Sequence, residues 1–231
     1  SQLKSDRAEW HRRLAAAIEH RQPELVDDNA ALIAEHLEAG GELAAAYAWR
    51  MRAGAWFAGR DVSAARGSWE RAGQIADALP GGLPDTLSMR IAPRTMLCAT
   101  DWWSIREGRG RFDELRELCA AAGDKLSLAI GMAGQLTELQ WAGRSRDALP
   151  LAAEQLDILE SEGSPALVVG LGVIPYSTYW DAGEFEPLLS RVQIGIDAAD
   201  GDLPVRKLPE CPWHQHSSGD NEINSGPDAS L

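Results

Sequence analysis

Cysteine is sparse in this chain: three in 231 residues, at 98, 119 and 211, with no recurring spacing. An odd, scattered set excludes a disulfide framework and fits a reducing, cytoplasmic compartment. Long apolar runs are missing as well. The longest, Ala166 to Ile174, is far shorter than the ~20 residues a spanning helix needs, so no membrane partner is expected. The opening SQLKSDRAEWHRR is polar and carries no signal-peptide pattern. It also lacks an initiator Met and enters a helical pattern at once, which suggests a piece excised from a longer protein. Basic charge is in deficit, with 22 Lys and Arg against 35 Asp and Glu and a net charge of −13. Most of that excess lies in residues 81–204, where 19 acids face 10 bases. Such a field repels a phosphate backbone, so direct nucleic-acid binding is not expected; solubility is the simpler role for the charge.

β-branched residues are few, and no segment alternates polar and apolar residues as a half-buried strand does. The 45% apolar share is carried by Ala and Leu, which favour helix. Apolar residues recur at three- and four-residue spacing from Trp10 to about Asp200. The pattern predicts helices around Trp10–Ile18, Leu25–Leu37, Glu42–Gly59 and Val62–Leu79. Another starts near Pro84-Asp85, with Pro93 early in it. Further helices are predicted over Phe112–Ala122, Lys125–Trp141, Ser145–Glu160, Pro165–Asp181 and Phe185–Ala199. Leu167–Ile174 is the one apolar run that could be read as a strand, and its flanks favour a buried helix. After Leu203 the periodicity stops. The segment KLPECPWHQHSSGDNEINSGPDASL reads as a disordered tail, giving a helical domain over 1–204 and a tail over 205–231.

The helices repeat. The stretch beginning at Trp49 resembles a tetratricopeptide repeat. Trp49, Ala53 and Trp56 fall at that family's helix A positions, and Ala65, Trp69 and Ala72 at its helix B positions. Arg60 stands where a turn glycine is common. The turn pattern returns at Gly110, with Phe112 and Leu115, at Gly143, with Ala148, and at Gly183, with Phe185 and Leu188. Successive spacings from Arg60 are 50, 33 and 40 residues, of which one is near the regular 34. An amphipathic helix pair cannot bury its face alone, so stacked neighbours would supply the core. The expected fold is all-α, with antiparallel helical hairpins stacked as a tetratricopeptide-like solenoid.

WHRRLAAAIE, the EHLEAGG step and AYAWRMRAGAWFAGRDVSAARGSWERAGQIADALP together are similar to the helical arm of bacterial STAND-type signalling ATPases. The likeness is good over residues 7–80 and loose over 81–204. The resemblance implies a cytoplasmic, non-catalytic regulatory arm. Its partner would be a protein or peptide, or the parent polypeptide's own ATPase or effector domains. Members of that family carry either a class III adenylate cyclase domain or a helix-turn-helix DNA-binding domain. This chain has no G-x-x-x-x-G-K loop followed by Ser or Thr, no paired-aspartate cyclase signature and no basic recognition helix, so none of the family's catalytic residues transfers. No enzyme activity and no cofactor are expected.

Other candidate sites have simpler explanations. Cys211, His214 and His216, with Glu210 or Asp220, are the one zinc-like cluster, but closed zinc sites come with paired ligand motifs. Trp49, Trp56 and Trp69 fit core positions. Trp102-Trp103 differ, because adjacent helical residues point about 100° apart, so one of them is a candidate partner contact. His11, His20 and His36 read as surface or capping histidines, and Asp27-Asp28 as a capping or surface pair. Arg50, Arg52, Arg60, Arg66 and Arg71 read as a solvated basic face. The Gly-x-Gly of GLGVIPYSTYW lacks the third glycine and the preceding strand of a dinucleotide site.

Overall fold

The computed structural model describes residues 2–21, 23–80, 86–103, 108–162 and 165–198. Among them there are helices and no strand. The helices are α1 (Gln2–Arg21), α2 (Ala30–Ala39), α3 (Leu43–Phe57), α4 (Val62–Ala78), α5 (Thr86–Ala99), α6 (Gly108–Ala122), α7 (Lys125–Trp141), α8 (Ser145–Ser161), α9 (Pro165–Ala182) and α10 (Phe185–Ala198). Short 3-10 turns cover Pro23–Leu25 and Asp101–Trp103. The expected tail, with Cys211, His214 and His216, lies outside the described residues, as does the 204/205 boundary.

Two expectations about helix and turn positions need correction. The second helix starts at Ala30, not Leu25, because the chain from Pro23 first makes a 3-10 turn and then a run of turns. Pro has no amide hydrogen to give, and the turn is closed instead by amides of Val26 and Asn29 donating to the Pro23 and Leu25 carbonyls. Gly110 is not a hairpin turn but the third residue of α6. Among the described residues, the glycines that turn the chain with positive φ are Gly41, Gly123, Gly143 and Gly183. At Gly143 the Arg144 amide donates to the Leu139 carbonyl (2.8 Å) and the Gly143 amide to Gln140 (2.9 Å). This doubly bonded helix end needs a left-handed residue, which glycine supplies without a Cβ clash. Gly183 ends α9 the same way, through Glu184 to Tyr179 and Gly183 to Trp180.

Each helix packs on the one before it and the one after it. Two- and three-residue links at α6–α7, α7–α8 and α9–α10 leave room only for an antiparallel return. In the second half, α7 also packs on both α5 and α9. The core is correspondingly a series of clusters. One joins Ala65 and Trp69 of α4 to Met96 and Leu97 of α5. The next joins Ile91 and Cys98 of α5 to Phe112, Leu115 and Cys119 of α6 and Met132 of α7. A third joins Leu136 of α7 to Ala148, Ala152 and Leu156 of α8 and Tyr179 of α9.

Small residues set the helix spacing. A Cβ on Gly134 of α7 would lie 1.9 Å from the backbone carbonyl oxygen of Cys98, and one on Gly131 would lie 2.4 Å from Leu115 Cδ2. At Gly54 of α3 a Cβ would lie 2.1 Å from Nε1 of Trp69, whose side chain is 1% exposed. Polar links reinforce this packing. Arg66 of α4 is buried, not part of a solvated face. Its guanidinium donates to the Leu97 carbonyl, to Thr100 Oγ1 and to Asp101 Oδ1, and Arg111 of α6 donates to the same Asp101 oxygen (3.2 Å). Burial pushes the Asp101 carboxyl up, against the pull of Arg111 and Arg66.

Gly134→Ala should destabilise the chain by at least about 2–3 kcal/mol, since the new methyl meets backbone that cannot rotate away. Gly67→Ala, at an exposed helical site with open space around it, should stabilise it by about 0.5–1 kcal/mol. Urea unfolding followed by circular dichroism checks both signs.

Candidate interaction edge

Trp102, Trp141 and Trp180 recur every 39 residues. Trp102 sits in the 3-10 turn after α5, Trp141 is the last residue of α7, and Trp180 lies two residues before the end of α9. The packing of α7 on α5 and α9 brings these helix ends to one edge. The Trp102 and Trp141 rings meet edge to face at 5.4 Å between centroids. The Gln140 side-chain amide donates to Ser177 Oγ (2.9 Å) and Thr178 Oγ1 (3.0 Å), tying the end of α7 to α9. Trp141 is 69% exposed and Trp180 63% exposed, with Phe185 edge-on to Trp180 at 5.3 Å. Trp102 is half-buried, and the side chain of Trp103 lies outside the described set.

A cleft of about 520 Å³ opens along this edge. Gln140, Gly143 and Ser145 form part of its wall, and Arg144, Arg146, Asp147 and Asp181 add charge of both signs. Arg144 Nε donates to Asp147 Oδ2 (2.8 Å). Apolar anchors beside a groove of mixed charge suit a peptide, which presents backbone dipoles and side chains of either sign.

The other sequence candidates fall as follows. Ala53, Ala65, Trp69, Ala72 and Ala148 are fully or almost fully buried. Trp49 and Trp56 are not core residues; they are half-buried, each under a guanidinium, Arg52 at 4.7 Å and Arg60 at 3.6 Å from the ring centroids. Their hydrophobic spacing matches a core position, but the arginine one turn on covers the ring from outside. Of the arginines expected to form a solvated face, Arg60 remains exposed, whereas Arg50 is largely covered and pairs with Glu35 and Glu38. Asp27, in the turns that precede α2, accepts from Arg52 of α3 instead of capping a helix. His11 and His36 meet across α1 and α2, with their Nδ1 atoms 3.1 Å apart, so one imidazole donates to the other. Among the described residues no group of three or more His, Cys, Asp or Glu is placed to hold a metal ion. No described helix is long and apolar enough to cross a membrane.

In the sequence, Trp141 and Trp180 are indistinguishable from core positions, since a single tryptophan at a helix end serves either role. The signal that identifies them is the 39-residue interval that separates Trp102, Trp141 and Trp180 in turn, each of the later two followed closely by a turn glycine. Cys98 and Cys119 are buried in the core and take no part in the edge. Burial pushes the Cys98 thiol up to about 12 and the Cys119 thiol up to about 11. Comparison with protein-family models, curated proteins and solved structures finds no match.

Trp141→Ala and Trp180→Ala, each losing one exposed aromatic pair, should cost no more than about 1.5 kcal/mol of unfolding free energy, whereas Trp69→Ala should cost about 3–5 kcal/mol. Chemical denaturation of the three variants separates surface anchor from core. Because the thiolate is the reactive form, alkylation at pH 8 should leave Cys98 and Cys119 unmodified in the native chain and label both after unfolding, read by peptide mass mapping.

Proposed function

We propose that this chain is a non-catalytic protein-interaction arm, a tetratricopeptide-like stack of helical hairpins whose turn edge receives a peptide or protein segment. The observation that carries this reading is the row of Trp102, Trp141 and Trp180, two of them largely exposed, beside a cleft of mixed charge. Large aromatic side chains held at helix ends on a rigid stack contribute contact area with little loss of rotamer freedom. The neighbour-on-neighbour packing of the ten described helices supports the repeat reading, since each hairpin obtains its core from the next.

The sequence likeness to the arm of STAND-type signalling ATPases supports a regulatory role for that edge within a longer polypeptide. The occupant is then either a separate protein or the parent's own ATPase, adenylate cyclase or helix-turn-helix domain. In each case the arm acts through contact and performs no chemistry of its own.

Photo-crosslinking tests the reading and separates the two occupants. A benzophenone amino acid placed at position 141 or 180, in the cell that makes the chain, should give one recurrent adduct shared by both positions. The same probe at Ser63, exposed on α4, should not give it. An adduct within the same polypeptide identifies a domain contact, and an adduct to another chain identifies a partner. Adducts indistinguishable from those at Ser63 would refute the proposal.

A further inference from the structure

His11 of α1 and His36 of α2 face one another across the first helix pair, Nδ1 to Nδ1 at 3.1 Å. Their ring centroids are 5.2 Å apart and their planes are inclined by 35°, so the rings meet nearly end-on. Both residues are half-buried.

The backbone holds them in this position. α2 ends at Gly40, which is buried and lies hard against α1. A Cβ there would sit 2.9 Å from Arg12 Cγ and 3.3 Å from the Ala8 carbonyl oxygen. The Gly40 amide donates to the His36 carbonyl (2.9 Å), and Arg12 Nη1 donates to the Gly40 carbonyl (2.9 Å). One imidazole therefore stands next to Arg12 and the other one turn before Gly40, on two helices whose separation is fixed at that point. The neighbouring cations are matched. Arg12 and Arg13 share Glu9, and Glu42 lies 3.8 Å from Arg12.

Two imidazoles facing in this way have two chemistries open to them. One is a hydrogen bond, in which one Nδ1–H donates to the other Nδ1. The other is joint coordination of a metal ion. Two nitrogens bound at about 2.0–2.1 Å to one tetrahedral ion lie about 3.3–3.4 Å apart. At the right angle of a tetragonal or octahedral ion the same bonds place them about 2.8–3.0 Å apart. The separation of His11 and His36 falls between these spans. A modest turn of each ring about its Cβ–Cγ bond aims both lone pairs at one point beside the line joining the nitrogens.

We propose that His11 and His36 form a two-histidine site for a divalent transition-metal ion, which clamps α1 to α2. Imidazole nitrogen selects zinc, nickel or copper over magnesium and calcium, which take oxygen. On binding, the donor ring's Nδ1 proton moves to its own Nε2. Both Nδ1 atoms then ligate as neutral imidazoles and no net proton is released. Water fills the remaining coordination positions. Because the two ligands come from different helices, the ion binds the folded pair and stabilises it by mass action. The site lies on other helices than the tryptophan edge and is independent of what that edge receives.

Isothermal titration calorimetry of the full 231-residue chain at pH 7.5 tests it, with zinc, nickel and magnesium as titrants. Zinc and nickel should each fill a saturable site, and magnesium should show none. Cys211, His214 and His216 are a separate set of zinc-type ligands, so the titrations are repeated with Cys211→Ser, His214→Gln and His216→Gln combined. The site should remain. In that background His11→Ala and His36→Ala should each weaken zinc binding by at least about tenfold. His20→Ala, exposed in the last turn of α1, should leave it unchanged. Zinc should raise the midpoint of thermal unfolding, and should no longer do so in either variant. A readout free of substitutions is magnetic resonance of isotope-labelled histidine, where zinc should move the Nδ1 signals of His11 and His36. Absence of zinc binding in the chain without Cys211, His214 and His216 would overturn the proposal. So would an affinity that either His11→Ala or His36→Ala leaves intact, or zinc that moves the signals of His214 and His216 alone.

Discussion

The contact between α5 and α7 at Gly134 governs the second half of the fold. With no side chain there, the backbone of α7 lies directly on the Cys98 carbonyl at the end of α5. That approach lets Met132 reach the cluster of Ile91, Cys98, Phe112 and Leu115, and it places α7 centrally, with α5 on one side and α9 on the other. The edge-to-face meeting of Trp102 and Trp141 follows from the same registration, since both residues sit at the ends of helices that this contact aligns. Close approach of backbones gains dispersion contacts along the whole interface, and any added atom forces the helices apart.

A chain of nearest-neighbour contacts has physical consequences beyond its core. Each of these clusters draws on three or four helices and no single centre gathers them all. Among the described residues α1 packs chiefly on α2 and α10 chiefly on α9, and the apolar side chains of Trp10, Leu14, Leu189 and Ile196 are exposed there. Exposed apolar rows of this kind are characteristic of contact surfaces. Ion pairs join both successive and alternate helices: Asp77 of α4 with Arg94 of α5, Arg94 with Glu114 of α6, Arg116 of α6 with Glu154 of α8, and Arg191 of α10 with Asp157 of α8. Most involve at least one solvated partner and contribute little to stability singly. The exception is Asp101, whose buried carboxylate oxygen holds guanidinium groups from α4 and α6 at once.

Helix existence was legible in the sequence, and hairpin glycines were legible in part. Lys125–Trp141 is bounded by Asp124, whose side chain accepts from the Ser127 amide, and by the Gly143 turn, and both signals are local. Gly110 misled because a glycine followed by a bulky residue looks the same whether it turns the chain or continues a helix; only φ distinguishes them. Arg66 misled for a related reason. Its spacing matches an exposed face of α4, and only the arrival of the α5 end and Asp101 turns that face into an interior. Trp49 and Trp56 occupy positions that a repeat template assigns to the core, yet Arg52 and Arg60 lie over their rings in the folded chain.

What the sequence by itself determined is the helical content and most helix limits, because propensity, capping and glycine turns act within a few residues of each other. The scarcity of β-branched residues and the three- to four-residue spacing of Ala and Leu needed no distant partner to be read. The tertiary structure decided which of those residues are inside. Whether a tryptophan is core or edge depends on the helix that arrives against it. Trp69 is enclosed because Gly54 makes room for its indole, and Trp141 is left facing outward because α7 ends there and the chain turns away at Gly143. The periodicity of a helix names a face but not its occupant, and the occupant sets the burial.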